Sequence, residues 1–244
     1  MSADNLLLRR FADRLRDRIA SRLITSLIPS GKVLFYDDLS AGSLKWGPVY
    51  VGTGTLSRVT TDLFDSSGSM QLMVTAGAND STEARRFLGE NLYKLSPLGL
   101  EFWFNLNAMA TDQIFEFGFE RADGSATIYS AYLRYLNSAT PVWQVDTPAG
   151  WVTFANVPIC PQGKTFHYQH AKMVADLVTR KYCWAELDGI IYDLSAYSTI
   201  TWAAVRRDLE LFLWLQNSGV ATAQTAWFSD IIGTCFEPSQ MGAF

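Results

Sequence analysis

The sequence of 244 residues has few cysteines, few histidines and few charged residues. Its three cysteines, Cys160, Cys183 and Cys235, are widely separated and have no metal-binding or redox spacing, so no disulfide framework is predicted. The only histidines, His167 and His170, would point to opposite faces of a strand, and a closed zinc site needs more ligands than this pair offers. These residue types therefore predict no metal site.

The sequence lacks the motifs that are typical of several classes of enzymes and nucleotide-binding proteins. The sequence has no Gly-x-Ser-x-Gly nucleophile elbow, no phosphate-binding glycine loop and no dinucleotide fingerprint. No apolar run is long enough to span a membrane, and Arg and Asp interrupt every apolar run near the N-terminus, so no signal peptide is predicted. We therefore expect a protein made in the cytoplasm, a class that includes virion components, and one that acts through binding or assembly.

Apolar and aromatic side chains are plentiful, at 48% and 14%, which is enough to fill a two-sheet core. The charged fraction of 18% is low and argues against disorder. The net charge of −4 is uneven, because residues 1–28 hold six Arg and three Asp, giving +3 and leaving −7 for the rest. A basic arm on an acidic body indicates a docking element and not a nucleic-acid-binding domain.

Residues 4–27 are predicted to form an amphipathic helix within an N-terminal arm that spans residues 1–28. The apolar stripe of this helix, which we expect to dock on a partner, contains Leu8, Phe11, Leu15, Ile19 and Leu23. The helix has three candidate roles: packing on its own domain, docking on a partner protein or on copies of itself, and lying on a membrane surface. Asp13 and Asp17 count against the membrane, and we favour docking or self-association.

Beyond residue 33 the sequence alternates with a period of two, which predicts short strands separated by turns. The predicted strands are 33–37, 49–59, 70–75, 98–106, 113–119, 126–134, 142–145, 151–154, 166–176, 182–187, 190–194, 208–216 and 226–235. A short helix is predicted only for residues 195–207. Many strands without helices between them indicate an all-β antiparallel sandwich.

Residues 170–194 resemble a segment of a known superfamily. The residues that carry the resemblance are His170, Lys172, Asp176, Tyr182, Asp188 and Gly189. They occupy places equivalent to those of a "W-H-x-x-K-x-x-x-D" strand and a "Y-x-x-x-x-x-D-G" hairpin in the concanavalin A-like jelly rolls, a group of lectins, glucanases and laminin-G-like domains. Gln169 replaces the leading Trp, and the Asp-Gly pair is a strong hairpin signal because Gly takes positive φ at little cost.

The two ends of the domain strengthen this resemblance. Residues 35–39, followed by Trp46, look like the opening strand of the superfamily, and residues 228–234 look like its closing strand. The resemblance covers about residues 33–236 and leaves residues 237–244 as a C-terminal tail. It implies a concanavalin A-like β-sandwich, an architecture that hosts lectins, hydrolases, adhesion modules and virion proteins.

The alternation of residues 115–120 places three phenylalanines on one face of a strand and Glu116 and Glu120 on the other. This pattern resembles the catalytic "E-x-D-x-(x)-E" strand of the family glucanases, except that Gly118 replaces the central acid. On a regular strand the two glutamates would lie about 13 Å apart, whereas glycoside hydrolysis uses carboxylates roughly 5–9.5 Å apart. We therefore expect a solvated strand face and no catalytic residues.

Calcium is a second expectation raised by the resemblance, because lectins and laminin-G domains of this superfamily often bind it through loop carboxylates. Asp37-Asp38 and Asn79–Glu83 would supply oxygen ligands. Neither segment has the spacing of a dedicated calcium loop, so turns and caps are the favoured interpretation. No cofactor is predicted.

A sugar-binding patch is predicted around the turn at residues 146–150. An exposed aromatic ring beside amide and carboxylate groups binds saccharides, because the ring stacks on the apolar face of the sugar and the polar groups bind its hydroxyls. The predicted patch contains Trp143, Gln144, Asp146 and Trp151. The alternative is aromatic packing across a hairpin.

These observations predict a non-enzymatic structural or recognition protein. The favoured function is a virion component of a bacterial virus, either a capsid-decoration or a tail-associated protein. Its helical arm would dock or oligomerise, and its jelly roll would face outward. A carbohydrate-binding, lectin-like module that acts on surface glycans is the first alternative, and a glycan hydrolase or lyase is the second.

Overall fold

The computed structural model describes residues 32–40, 42–60, 68–89, 92, 95–106, 111–124, 126–156, 168–204, 207–219 and 222–239. The predicted helical arm, with its docking residues Leu8, Phe11, Leu15, Ile19 and Leu23, lies outside the described residues. Within the described part, no helix is long and apolar enough to cross a membrane.

The described residues form sixteen strands. In chain order they are β1 (Lys32–Asp37), β2 (Gly47–Val51), β3 (Gly54–Val59), β4 (Ser69–Val74), β5 (Ser81–Phe87), β6 (Leu98–Leu106), β7 (Gln113–Asp123), β8 (Thr127–Asn137), β9 (Val142–Thr147), β10 (Gly150–Ala155), β11 (Gln169–Asp176), β12 (Lys181–Leu187), β13 (Ile190–Asp193), β14 (Ile200–Ala203), β15 (Arg207–Asn217) and β16 (Gln224–Cys235). This content confirms the predicted all-β class.

The strands make two antiparallel sheets of eight strands each. Sheet 1 has the order β13-β12-β11-β6-β16-β4-β3, with β1 paired to β16. Sheet 2 has the order β10-β9-β8-β7-β15-β5-β2, with β14 paired to β8. Consecutive strands often belong to different sheets, so spatial neighbours such as β5 and β15 are far apart in sequence.

The inner faces of the two sheets share one apolar core. Period-two alternation points Phe102 of β6 inward from sheet 1 and Phe115 and Phe117 of β7 inward from sheet 2. The ring of Phe102 lies edge-on to that of Phe117, with centroids 4.8 Å apart. Edge-to-face aromatic pairs of this kind join the sheets and add to the free energy gained by burying the rings.

The hairpins predicted within residues 170–194 are present as β11, β12 and β13. Asp188 and Gly189 both have positive φ, at 49° and 82°, as a two-residue hairpin turn requires. The Asp188 carboxylate accepts hydrogen bonds from the backbone N–H of His170 and from the side chain of Gln169, both at 2.7 Å. The side chain of Asp188 therefore joins this turn to the start of β11 by two hydrogen bonds.

Three local predictions were wrong. The single strand predicted over residues 49–59 is two strands, because the chain turns at Gly52 (φ 75°) and passes from sheet 2 to sheet 1. The described residues of the segment 195–207 contain β14 and no helix. Residues 81–87 contain no predicted strand, yet they form β5 between β15 and β2.

Candidate functional site

The candidate site lies on the outer face of sheet 2, opposite the core. Along β7, Phe115, Phe117 and Phe119 point into the core, whereas Glu116 and Glu120 point outward. The two glutamates are nevertheless only 7% and 4% exposed. The predicted alternation is confirmed, but the expected solvated face is wrong, because large side chains of β8 and β15 cover these carboxyl groups.

The strand register shows which side chains cover them. Glu116 is paired with Arg134 of β8 on one side and with Trp214 of β15 on the other. In the next row, Gly118 lies between Tyr132 and Phe212, whose rings meet edge-on with centroids 4.8 Å apart. A Cβ atom at residue 118 would lie 2.7 Å from Cδ1 of Tyr132. Because Gly118 has no side chain, the rings of Tyr132 and Phe212 can pack together over β7.

A pocket of about 210 Å³ opens between these rows. The residues that line it are Glu83, Arg85, Glu116, Glu120, Tyr132, Phe212 and Trp214. The guanidinium of Arg85 is 2.7 Å from Glu83 and 3.2 Å from Glu210, so two carboxylates already pair with it. The hydroxyl of Tyr132 donates to Glu120. Burial, together with this neighbouring carboxylate, raises the pKa of Tyr132, which keeps the phenol protonated.

Glu116 is the unusual member of the pocket. Within the described part of the chain its carboxyl group has no hydrogen bond and no ion pair, and the positive charge that attracts it is that of Arg134. Burial raises the pKa of Glu116 to about 8, and the attraction of Arg134 reduces this rise only in part. A carboxyl group of this kind is largely protonated at neutral pH and releases its proton when a cation approaches.

An aromatic platform borders the pocket on the side of β9 and β10. The guanidinium of Arg134 lies 4.1 Å from the ring centre of Trp151, a cation–π contact that fixes the half-buried indole. Nε of Arg134 donates to Gln144, which in turn donates to Thr153 at 3.2 Å. Asp146 is paired with Trp151 in the strand register. Burial raises the pKa of Asp146, and Arg134 opposes this rise.

The structure therefore brings together Gln144, Asp146 and Trp151 of the predicted patch, but it excludes Trp143. Trp143 is only 2% exposed and packs in the core against Tyr135 and Phe115. Consecutive residues of a strand point to opposite faces, so Trp143 cannot share a surface with Gln144. Its inclusion in the patch was wrong.

Sequence reasoning also missed site residues that other strands contribute. They are Glu83, Arg85, Tyr132, Arg134, Phe212 and Trp214. Tyr132 and Arg134 alternate on a strand that had been predicted, so their shared face was accessible from the sequence. That this strand lies beside β7 was not accessible, because strand order is not a local property of the sequence.

Tyr182 supports the site from the core side. This fully buried residue belongs to sheet 1, yet its hydroxyl reaches sheet 2 and donates to the backbone oxygen of Asp146 at 2.8 Å. The hydroxyl oxygen of Tyr182 also accepts a hydrogen bond from the backbone N–H of Tyr132, at 2.9 Å. The hydroxyl thus joins β8 to β9. It does so at Tyr132, whose side chain lines the pocket, and at Asp146, whose side chain faces the platform. This contact gives a structural role to one residue of the superfamily pattern.

Of the two segments considered for calcium, the first begins a turn at the end of β1 and the second runs from a turn into β5. Asp37 accepts the backbone N–H of Leu39, and Asp38 accepts that of Ser40, each at 3.0 Å. Asp80 accepts the hydroxyl of Thr75 at 2.7 Å. Among the described residues, no group of three or more His, Cys, Asp or Glu side chains is arranged to hold a metal ion.

A second polar cluster lies on the outer face of sheet 1. His170 lies 3.1 Å from Glu101 and 3.3 Å from Glu186, at distances typical of close ion pairs. Lys172 lies 3.0 Å from Glu237, and Trp184 donates to the backbone oxygen of Pro238. The chain therefore stays packed on sheet 1 beyond residue 236, where the predicted tail begins.

Comparison with known proteins supports the fold. No family model and no curated protein matches the sequence. An endo-β-1,4-glucuronan lyase from the fungus Trichoderma reesei has a similar structure, with a TM-score of 0.58 and 12% identity over 84% of this chain and 96% of that one. A carbohydrate esterase of the Shiga toxin-encoding bacteriophage phi24B gives 0.55 and 12% over 85% and 100%. The chain thus has a concanavalin A-like jelly-roll fold, as the resemblance implied.

Proposed function

We propose that this jelly roll is a carbohydrate-binding module that holds a saccharide on the outer face of sheet 2. The observation that carries the proposal is the continuity of platform and pocket, because Arg134 contacts Trp151 and is paired with Glu116 in the strand register. A ring for stacking, beside carboxylate and amide groups for hydroxyls, suits a sugar chain. The two structural neighbours are both named for action on carbohydrates, which supports this choice of ligand class.

We infer binding without cleavage. The rings of Tyr132 and Phe212 fill the space above Gly118, which lies between Glu116 and Glu120 on β7. A glycosidic bond placed between the two carboxylates would have to occupy that space. The hydroxyl of Tyr132 also engages Glu120. Paired acid and base roles for these two glutamates are therefore disfavoured, although proteins of this fold include enzymes.

The first prediction tests the platform. Trp151→Ala should weaken saccharide binding roughly tenfold, because it removes the stacking ring and the surface that orients Arg134. Binding is measured on a glycan array and then by calorimetry with each oligosaccharide that binds. The same oligosaccharides are analysed for shorter products after incubation, and we expect none.

Phe236→Ala is the matched control for this variant. Phe236 is an exposed ring with Lys32 over it at 5.7 Å, but it lies at the end of β16 in sheet 1. Equal loss in both variants, or no glycan bound by the wild-type protein, would contradict the proposal. If the wild-type protein releases shorter oligosaccharides and Glu116→Gln does not, the protein is an enzyme and not a binding module.

We further propose that the protein is a virion component of a bacterial virus, in which the basic arm docks or oligomerises and the jelly roll faces outward. The charge separation between residues 1–28 and the acidic remainder supports this role. The phage esterase shows that this fold occurs in a bacteriophage protein. In this role, saccharide binding would provide contact with a host surface.

The second prediction tests the arm. Deletion of residues 1–28 should leave a folded β-sandwich and abolish self-association or incorporation into particles, because the apolar stripe of the predicted helix is removed. Light scattering coupled to size-exclusion chromatography measures the molar mass, and circular dichroism checks the fold. An unchanged molar mass together with unchanged incorporation would disprove a docking role for the arm.

A further inference from the structure

The pocket contains a buried acid that forms no ion pair in the described part of the chain, although Arg134 attracts it from a neighbouring strand. Glu116 is 7% exposed, lines the cavity, and has neither a hydrogen bond nor an ion pair within the described part of the chain. A buried polar group without a partner costs free energy, and a buried charge costs more. The cavity beside Glu116 therefore favours a group that can supply a positive charge and hydrogen-bond donors.

The other residues that line the cavity also favour a positively charged ligand. Three carboxyl side chains, those of Glu83, Glu116 and Glu120, line the cavity with a single cation, Arg85. Arg85 is already paired with Glu83 and Glu210. An anionic sugar such as a uronate would therefore meet like charge in the cavity, where Arg85, the cation that lines it, is already paired with two carboxylates.

A bare metal ion is a poor candidate for the missing cation. No group of three or more His, Cys, Asp or Glu side chains suited to a metal occurs in the described part of the chain. An ammonium group needs only one carboxylate and a few acceptors. The rings of Trp214 and Phe212, which also line the cavity, would contact the apolar face of the sugar that carries it.

We propose that this pocket accepts a protonated amino group, so that the saccharide bound by the protein contains unacetylated 2-amino sugars. This inference rests on the proposed function and specifies its ligand class. The amino group would lie against the carboxylate of Glu116 and form the ion pair that this carboxylate lacks in the described part of the chain. Binding of an amino group that is already protonated in solution would then release a proton from Glu116, because burial raises the pKa of Glu116 and an ammonium partner lowers it again.

The experiment compares four oligosaccharides of equal length, built from β-1,4-linked glucosamine, N-acetylglucosamine, glucose and glucuronate. Calorimetry with the full chain should show glucosamine bound at least tenfold tighter than the other three, in line with a charge-assisted hydrogen bond. Titration at pH 6, where the amino groups of the free glucosamine oligosaccharide are mostly protonated, in two buffers of different ionisation enthalpy should show release of close to one proton. Glu116→Gln should remove both the preference and the proton release.

Asp193→Asn is the matched control, because it also removes one negative charge but lies on β13 of sheet 1. Its amide oxygen can keep the hydrogen bond from the backbone N–H of Ser195. Loss of the preference in both variants would show nonspecific attraction to an acidic protein and would overturn the inference. So would glucosamine binding by the wild-type protein without proton release.

The remaining outcomes separate this inference from the proposed function. Equal or tighter binding of the neutral or the acidic oligosaccharides would overturn the amino-sugar pocket and leave the carbohydrate-binding module intact. Binding of none of the four, together with an empty glycan array, would overturn both. Glu116→Gln is expected to fold, because it replaces a buried ionisable group with a neutral one of the same shape.

Discussion

At the scale of single residues, Gly118 determines how its two acidic neighbours act. The position between Glu116 and Glu120 carries an acid in the glucanase pattern that this strand resembles. Here a Cβ atom would clash with the backbone oxygen of Ala131 and would contact the rings of Tyr132 and Phe212. No acid fits there, so the two glutamates serve different partners. Glu120 binds a tyrosine hydroxyl, and Glu116 faces the cavity.

His170 gives the third prediction, which concerns pH. Burial disfavours the charged imidazole, but Glu101 and Glu186 outweigh it and raise the pKa of His170 to about 9 from a usual value of 6.5. A raised histidine pKa stabilises the fold fully below pH 6.5, and this stabilisation is lost as the pH rises through 9. We expect the free energy of unfolding to fall by about 2–3 kcal/mol across that window.

Denaturant unfolding of the wild type and of His170→Gln between pH 6 and pH 9.5 measures this effect. The variant should be less stable at pH 6 and should show a shallower decline. Part of the decline should remain, because the raised pKa of Glu116 also makes stability fall as the pH rises above its unfolded value of 4.5. Parallel curves for the two proteins would contradict the assignment to His170.

At the scale of strands, Tyr182 gives the fourth prediction. Its hydroxyl bridges the backbone of Tyr132 and Asp146, so Tyr182→Phe would leave a buried N–H and a buried carbonyl without this partner. We expect a loss of about 1–3 kcal/mol in the free energy of unfolding. Saccharide affinity should fall as well, because the spacing of β8 and β9 sets the separation between platform and pocket.

Thermal and denaturant unfolding measure the first effect, and calorimetry with the preferred oligosaccharide measures the second. Tyr197→Phe is a suitable control, because Tyr197 is another tyrosine that packs against the core, but outside β8 and β9. A Tyr182→Phe protein with unchanged stability would show that the hydroxyl does not hold the two strands together. Unchanged affinity would separate the bridge from the binding site.

The strand β5 shows where sequence patterns fail at this scale. Its sequence, Ser-Thr-Glu-Ala-Arg-Arg-Phe, lacks the alternation of apolar and polar residues expected of a half-buried strand. Ala84 is its only apolar residue in the core, whereas Glu83 and Arg85 line the pocket. Because the outer face of β5 lines the pocket, it carries charged residues, and these obscure the alternation of apolar and polar residues from which a strand is predicted.

At the scale of the whole molecule, the class of fold followed from local information. Alternation with a period of two and an Asp-Gly turn are visible in short windows, so the two-layer antiparallel sandwich was predictable. The site was predictable only in part. The shared face of Gln144, Asp146 and Trp151 follows from alternation, and the same rule should have excluded Trp143. The opposite wall of the pocket depends on strand order, which no short window contains.

The ion pair between Arg85 and Glu210 joins residues 125 positions apart in the chain. Strands from both halves of the sequence must therefore be in place before the cavity has walls. No proteolytic fragment of either half would contain the whole cavity, and a ligand bound in it, such as the proposed saccharide, would bridge strands from both halves. Occupancy of the cavity would thus report that the entire sandwich has assembled, and it would slow the opening of the sandwich once formed.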